Sequence, residues 1–186
     1  MKLTDGKIRL RAPEPEDLDV LFNMENDTAL WLVSGNAMPY SRYQLRKYIE
    51  ESAHDFYSDR QIRFMIVLES DANVLGSVDL TCIDPYNGRA EIGIALLEPY
   101  RGQGIASAAL KILFEYSIEV LHIHQLYCHV PVGNKESINL FSSNGFAQSG
   151  RLKDWLYGNE SYQDVILMQK FFLKKKCRNV CRNKKW

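Results

Sequence analysis

The chain has 186 residues, of which 46% are hydrophobic and 11% are aromatic. This composition predicts one globular domain with a substantial core, and it excludes the fibrous and disordered classes. The formal net charge is zero because residues 173–186, with seven Lys or Arg and no acid, balance a charge of −7 on residues 1–172.

The sequence also bears on the compartment and the partners. It contains no run of eighteen apolar residues, and its first residues lack the apolar stretch of a secretory signal. We therefore expect a cytoplasmic protein that contacts no membrane. Cys82 and Cys128 lie in apolar, strand-like runs, and Cys177 and Cys181 lie in the tail, so no metal-ligand cluster is expected.

The basic segment 173–186 is expected to be a solvated tail after a domain of residues 1–172. Contact of the tail with an acidic partner or with nucleic acid is the less favoured alternative, and we expect no nucleic-acid partner. A homo-oligomer stays possible.

The first half of the chain predicts a strand followed by two helices. Apolar residues alternate with basic ones in residues 8–12, which is typical of a strand with one polar face. Acids precede Leu18 and Leu21 at helical spacing, which predicts a short helix. Ser41 and Gln44 form a capping-box pattern, and the apolar stripe that follows predicts a second helix through about Tyr57.

The second half predicts three strands joined by tight turns, at residues 62–70, 74–83 and 89–97. A long helix follows from about Gly104 to Leu121, and then a strand at residues 125–131. A short helix from Ser137 to Asn144 ends at Gly145. The chain finishes with a hairpin whose Val165–Met168 run is expected to be buried on both faces.

The segment PYRGQGIASAAL, residues 99–110, places two glycines directly before the long helix. The first turn of a helix leaves backbone N–H groups unpaired at the positive end of the helix dipole, and glycine lets an anion approach them closely. The segment therefore predicts a phosphate site. A dinucleotide fold is disfavoured because these glycines follow an antiparallel meander, and a P-loop is excluded because no Gly-Lys-Ser/Thr follows.

Three motifs in this order resemble those of the GNAT N-acetyltransferases. Residues Arg101 to Ala106 match the pyrophosphate loop R/Q-x-x-G-x-G/A, Asn134 and Ser137 match an N-x-x-S segment, and Asn144 to Phe146 match the end of the short helix. The resemblance covers residues 7 to about 172. It is strongest to polyamine acetyltransferases and to ribosomal-protein amino-terminal acetyltransferases.

The resemblance implies a single α/β (α+β) domain with a mixed, mostly antiparallel twisted sheet flanked by helices. It also implies a V-shaped splay between the fourth and fifth strands. Acetyl-CoA would be the co-substrate, with no metal. The residues implied to bind it are Ile94, Ala95 and Leu96 on the splayed strand, Arg101, Gly102, Gln103, Gly104, Ile105, Ala106 and Ser107 around the pyrophosphate, and Asn134 and Phe141 near the pantetheine.

The resemblance further implies that Glu91 removes a proton from the acceptor amine, directly or through water, because an amine is protonated at neutral pH. A surface partner for Arg89 is the alternative role for this carboxylate. Relatives commonly carry a tyrosine acid at the position of Phe141, which has no hydroxyl. Phe141→Tyr is therefore expected to raise turnover, and Tyr127, His129 or Ser142 are candidates to replace the missing acid.

A primary amine is the expected acceptor, with a polyamine such as spermidine or spermine preferred. An amino-terminal acetyltransferase of ribosomal proteins or peptides is one alternative. A CoA-binding module without catalysis is the other. Residues 26–44 are expected to form part of the acceptor wall, and Asp79, Glu50 and Glu51 are candidates to gather with Glu91.

Overall fold

The computed structural model describes residues 2–28, 30–31, 38–51, 59–158 and 160–172. The strands are β1 (Ile8–Arg11), β2 (Ile62–Leu68), β3 (Val74–Asp84), β4 (Arg89–Leu96), β5 (Gln125–Pro131), β6 (Ala147–Gly158) and β7 (Ser161–Phe171). The helices are α1 (Leu18–Glu25), α2 (Arg42–Glu51), α3 (Ile105–Glu119) and α4 (Lys135–Ser143). This order confirms the order that the sequence predicts.

Within the described residues, seven strands form one sheet in the order β1-β2-β3-β4-β5-β7-β6. Strands β4 and β5 are parallel, because α3 connects them, and the other neighbouring pairs in this sheet are antiparallel. The parallel pairing joins only Arg89–Glu91 to Gln125–Tyr127. Residues 92–96 pair with β3 alone, so β4 and β5 diverge from this point. The predicted splay is therefore present.

The two faces of the sheet carry different cores. One face, here called the α3 face, carries Val78, Leu80, Ile92 and Leu126, which pack in the main core with α3. The opposite face, here called the α1 face, packs against α1 and α2 through a smaller cluster that includes Leu21, Ile49, Met65 and Val67. Because side chains alternate along a strand, Asp79, Glu91, Tyr127 and His129 project on the α1 face.

Short polar turns join the antiparallel strands. Asp71 accepts a hydrogen bond from the backbone N–H of Asn73 at 3.0 Å, between β2 and β3. Asp84 accepts one from the backbone N–H of Asn87 at 3.0 Å, between β3 and β4. Such turns leave little choice of register, because side chains in the turn satisfy the backbone groups that the strands do not.

Two helix starts follow from their caps. The predicted capping box is present at α2, where the Gln44 N–H donates to the Ser41 hydroxyl and the Ser41 N–H donates to the Gln44 side chain. Helix α4 begins at Lys135 rather than at the predicted Ser137, because the Asn134 side chain accepts the N–H of Ser137 and so caps the helix.

The run Val165–Met168 is only half as buried as predicted. Val165 and Met168 are buried, whereas Ile166 and Leu167 are partly exposed. The register shifts between β6 and β7 fall beside these residues, and the irregular pairing limits how well β6 covers β7.

Several expectations lie outside the described residues. They are the extension of α2 through Tyr57, the side chains of residues 32–37 in the acceptor wall, and the basic tail with Cys177 and Cys181. Over the described part of the chain, no helix has both the length and the apolar character needed to cross a bilayer.

Candidate active site

The loop that precedes α3 has a backbone that only glycine adopts readily. Gly102 has φ +71° and Gly104 has φ +78°, and a Cβ built on either meets nothing within 4 Å. Glycine is therefore required by the left-handed backbone and not by crowding. The side chains of Arg101 and Gln103 hold the loop by donating to the carbonyls of Leu96 (3.0 Å) and Pro99 (2.8 Å).

From Gly102 onward, the backbone N–H groups of this loop make no hydrogen bond to the described part of the protein. The first helical bond runs from the Ala108 N–H to the Gly104 carbonyl at 3.1 Å. Among the described residues, no acceptor is bonded to the N–H groups of residues 102–107. Six donors thus cluster at the positive end of a helix of 15 residues. This arrangement suits a diphosphate, as the sequence predicts.

Ser107 and Asn134 make hydrogen bonds within the protein. The Ser107 hydroxyl accepts from Nδ2 of Asn144 at 3.0 Å, which leaves its own hydrogen available to a ligand. The Asn134 Oδ1 caps α4, so its amide NH₂ is the part of the side chain that a ligand can engage. Asn134 therefore caps α4 through its oxygen, and this role is compatible with ligand binding through its NH₂ group.

The splayed edge of β4 offers backbone groups to an extended ligand. Ile94, Ala95 and Leu96 pair with β3 on one side, and their other side has no strand partner in the described sheet. An extended amide chain can hydrogen-bond along such an edge, and a strand N–H can stabilise charge that develops on a thioester oxygen. The Leu96 carbonyl already accepts from Arg101, so Ile94 and Ala95 are the more available positions.

Glu91 and His129 form a pair where β4 and β5 begin to diverge. Glu91 is opposite Tyr127 in the last parallel pairing, and His129 is two residues farther along β5 on the same face. Oε1 of Glu91 lies 2.6 Å from Nδ1 of His129, and the two side chains are 26% and 30% exposed. This pair, here called the vertex pair, brings together the predicted base and one predicted substitute acid.

Tyr127 and Cys128 are both held in their neutral forms. Burial, with the nearby carboxylate of Glu91, raises the pKa of Tyr127 to about 12. The same two causes raise the pKa of the buried Cys128 thiol to about 12. At neutral pH, Tyr127 is therefore a phenol and Cys128 is a poor nucleophile.

Phe141 belongs to the main core. It is 4% exposed, and its ring packs edge to face on Phe146 with the centroids 5.1 Å apart. Ser142, the next residue on α4, is exposed. The vertex pair thus contains His129 but neither of these residues.

The acids predicted to gather with Glu91 divide into two groups. Asp79 is on the α1 face beside β4, where Nε of Arg63 donates to it at 2.6 Å and Nη1 of Arg63 donates to Glu25 at 2.5 Å. Glu50 and Glu51 lie on the exposed side of α2, where Glu51 pairs with Lys47. Asp79 therefore shares the α1 face with Glu91 and is bonded to Arg63, whereas Glu50 and Glu51 lie apart on α2.

Burial disfavours the charge on Arg63, but the carboxylates of Asp79 and Glu25 outweigh this effect and raise its pKa. Two carboxylates share one guanidinium in this group, and burial raises the pKa of Asp79, so the charge of Asp79 depends on its pairing with Arg63. Among the described residues, no cluster of three or more His, Cys, Asp or Glu side chains is arranged to hold a metal ion.

An open groove of about 780 Å³ lies at the end of β3 and the turn to β4, and its lining residues do not include Glu91 or His129. Its walls include Thr81 and Tyr127, the two residues that flank Glu91 in the neighbouring strands. Trp155 stacks on His129, with centroids 6.3 Å apart and ring planes 17° apart. Sequence reasoning missed Trp155, because it lies at a register shift between Leu152 and Leu156 that no local signal marks.

Comparison with known proteins gives the family. A model of the acetyltransferase (GNAT) domain matches residues 7–147. The spermidine N(1)-acetyltransferase of Vibrio cholerae is 29% identical over 167 residues, which cover 88% of this chain and 92% of the relative. The ribosomal-protein-serine acetyltransferase of Escherichia coli is 35% identical over 104 residues, 56% of this chain and 57% of that protein.

A crystal structure of the Vibrio cholerae spermidine N-acetyltransferase in complex with CoA and spermine has the same fold. The TM-score is 0.82 at 27% identity, over 90% of this chain and 96% of that one. The chain therefore belongs to the GNAT acetyltransferase family. It is an N-acetyltransferase that uses acetyl-CoA, as the motifs imply.

Proposed function

We propose that this enzyme transfers acetyl from acetyl-CoA to a primary amine of a polyamine, such as spermidine or spermine, by direct attack in a ternary complex. The observation that carries this proposal is the position of Glu91. Its carboxylate lies at the vertex of the splay, on the same acidic face as Asp79 and Glu25. The relatives named as spermidine acetyltransferases support the same substrate class.

The residues around α3 would hold the co-substrate, which supplies an activated acetyl thioester. The N–H groups of residues 102–106 and the Ser107 hydroxyl would bind the pyrophosphate, since they are donors at a helix N-terminus. The Asn134 amide would contact the pantetheine. Backbone groups of Ile94 and Ala95 would align the pantetheine arm and place an N–H against the thioester oxygen.

The vertex pair would remove a proton from the acceptor amine. An alkyl ammonium with a pKa near 10.4 is almost fully protonated at neutral pH, and only the free amine attacks a thioester. Glu91 lies at this point, and Asp79 and Glu25 lie on the same face around Arg63, so these carboxylates would attract a polycation, and Glu91 would orient its nearest nitrogen. A polyamine has further ammonium groups to occupy the acidic face, which a peptide amino terminus lacks.

Direct transfer is favoured over an acetyl-enzyme intermediate on Cys128 because of the state of that thiol. Cys128 is buried with its pKa raised to about 12, and it projects on the α3 face, away from Glu91. We expect Cys128→Ala to keep at least half of the wild-type turnover. Initial rates that vary both substrates should give intersecting lines. Parallel lines together with an acetylated cysteine in the mass spectrum would contradict direct transfer.

The substrate class is tested by CoA release from the full chain with a panel of amines. The panel contains spermidine, spermine and peptides that carry the amino-terminal sequences of ribosomal proteins, each with acetyl-CoA. We expect turnover with spermidine or spermine and little with the peptides. Turnover with peptides alone would favour the alternative suggested by the ribosomal-protein-serine acetyltransferase. CoA binding in calorimetry without turnover of any amine would overturn the proposed function.

A further inference from the structure

We propose that His129 is the residue that exchanges protons with the reactants and that Glu91 is its positioning residue. This inference rests on the proposed acetyl transfer and gives each residue of the vertex pair a separate role. It changes the role that the sequence gives to Glu91, which was expected to accept the proton itself. It also provides the acid that Phe141 cannot supply.

The contact with Glu91 fixes the tautomer of His129. Nδ1 lies 2.6 Å from Oε1 of Glu91, which is the distance of a charge-assisted hydrogen bond. A carboxylate only accepts hydrogen bonds, so Nδ1 must carry the hydrogen and donate it. In the neutral ring, Nε2 then has the free lone pair and is the atom that can take a proton. Glu91 thus reaches a substrate proton through the imidazole.

The imidazole ring of His129 is fixed in orientation by its neighbours. Trp155 stacks on one side of it, and the ring of Tyr127 meets it edge-on, with centroids 5.7 Å apart and planes at 84°. Three contacts from β4, β5 and β6 therefore hold one imidazole that is still 30% exposed. A proton carrier needs this combination of fixed geometry and access to the reactants.

The charged and titratable groups around the imidazole of His129 lie on several elements. On β4 it faces Glu91, and on its own strand Tyr127, which stays a phenol at neutral pH. The β6 neighbour Trp155 and the β7 register partner Leu167 do not titrate. On the same face, Cys82 and Arg89 act on Tyr127, and Asp79 and Glu25 are bonded to Arg63. Among the described residues, Glu91 is therefore the charged group bonded to His129.

The proton steps balance over one turnover. Nε2 accepts a proton from the substrate ammonium, and the free amine attacks the carbonyl carbon of the thioester to form a C–N bond. The C–S bond then breaks, and sulfur leaves with the bonding electron pair. The imidazolium returns its proton to the sulfur as CoA thiol forms, and the nitrogen loses its second proton to solvent. The net reaction converts an ammonium and acetyl-CoA into an acetamide, CoA and one proton.

Tyr127 is a poorer candidate for these steps. With a pKa of about 12, its phenol is a much weaker acid than a thiol, whose pKa is near 8.5, so protonating the departing sulfur would be uphill. As a base it would first have to lose a strongly held proton. An imidazole can serve in both directions near neutral pH, which is what one residue acting as base and acid requires.

The activity test compares His129→Gln with a matched control, His124→Gln, at the residue directly before β5. We expect His129→Gln to lower kcat with spermidine by about 10²-fold or more, while KM for acetyl-CoA and the CoA affinity stay within about twofold. The acid limb of the kcat/KM profile should disappear. Added imidazole should restore part of the rate in His129→Ala. His124→Gln should behave as wild type.

Glu91→Gln tests the positioning role. The amide oxygen of glutamine can still accept from Nδ1, so this variant should lose less rate than His129→Gln, and its acid limb should shift rather than vanish. A larger loss in Glu91→Gln than in His129→Gln would return the proton-accepting role to the carboxylate. The same is true if His129→Gln keeps wild-type kcat and pH dependence.

A measurement without substrates tests the tautomer directly. The chain has four histidines, and the ¹⁵N signals of His129 are identified by their loss in His129→Gln. We expect the neutral ring to be protonated on Nδ1 in the wild type, and this preference to weaken in Glu91→Ala. The opposite tautomer would overturn the inference even if acetyl transfer is observed. Absence of wild-type turnover with every amine would instead overturn the proposed function.

Discussion

Asp17 is a buried carboxylate that ties the start of α1 to β1. Its side chain is 4% exposed, and Arg11 donates to both of its oxygens, at 2.6 and 2.8 Å. The backbone N–H of Glu14 donates to it at 2.8 Å. Burial by itself raises the pKa of Asp17, but the hydrogen bonds from Arg11 and Glu14 outweigh burial, so the pKa is lowered.

We expect Asp17→Asn to lower the free energy of unfolding by about 3 kcal/mol at pH 7, since it breaks the ion pair of a buried carboxylate and leaves the partly exposed guanidinium of Arg11 unpaired. The folded-state pKa of Asp17 is below its unfolded value. Its contribution is therefore complete above the unfolded value and is lost as the pH falls through the folded pKa. Urea unfolding between pH 7 and pH 2 should show the difference between wild type and variant shrinking in acid.

The control for this prediction is Asp19→Asn. Asp19 pairs with Arg42 on the surface, and its side chain is 76% exposed. Exposed ion pairs contribute little, so this variant should unfold like the wild type. If Asp17→Asn unfolds like Asp19→Asn at pH 7, the contribution assigned to Asp17 is wrong.

Contacts between residues on different elements could not be predicted from the sequence. Acids in the first turn of α1 were predicted to favour the helix dipole, but the partner of Asp17 on β1 was not foreseen. His129 was one of several candidates for the missing acid, and the pairing with Glu91 singles it out. Those partners lie on different strands or elements, and spacing along the chain carries no information about them.

At the scale of elements, the glycine loop and the N-terminus of α3 form one continuous structural unit. The loop has left-handed backbone at Gly102 and Gly104, and its N–H groups share the positive end of the helix. Replacing Gly104 should therefore affect folding and ligand binding through the same backbone angles. The two effects can be separated because Gly6, which lies outside this loop, also has a left-handed backbone.

We expect Gly104→Ala to destabilise the fold by about 1 kcal/mol, from the cost of a Cβ at positive φ, and to weaken CoA binding at least tenfold. Gly6 has φ +90°, and a Cβ there also meets nothing within 4 Å. Gly6→Ala should therefore lose similar stability but bind CoA normally. Thermal unfolding and calorimetry with CoA measure the two quantities. Equal loss of CoA affinity in both variants would show that the loop has no special role.

The elements themselves were the most predictable part of the fold. Apolar periodicity and turn residues gave the order of strands and helices, because both are local properties of the chain. The predicted start of α4 is two residues late. The sequence was interpreted as placing a ligand contact at Asn134, whereas the Asn134 side chain also caps the helix. The bulge that brings Trp155 onto His129 has no such local signal.

At the scale of the whole molecule, charge is distributed unevenly although the formal net charge is zero. The acids Glu25, Asp79 and Glu91 are gathered on the α1 face with Arg63 among them. Because residues 1–172 carry a net charge of −7, a salt effect on a monoamine reports the general attraction of the domain, and any larger effect on a polyamine reports the local field of these acids.

We expect kcat/KM for spermidine to fall by about tenfold or more between 0.1 M and 1 M NaCl, where the screening length drops from about 10 Å to about 3 Å. A monoamine such as butylamine should lose much less, because it carries one charge. Steady-state rates with both amines at each salt concentration measure the difference. Equal losses for the two amines would mean that the acidic face does not recognise additional ammonium groups.

Local stretches of the sequence were enough to predict the order of elements, the glycine loop before α3 and the family, since each depends on residues that are close together along the chain. The tertiary structure alone decided which groups meet at the vertex of the splay. Glu91 and His129 are 38 positions apart and touch because a parallel pairing ends after three residues. Where two strands separate is fixed by the packing of the whole sheet, and no short segment encodes it.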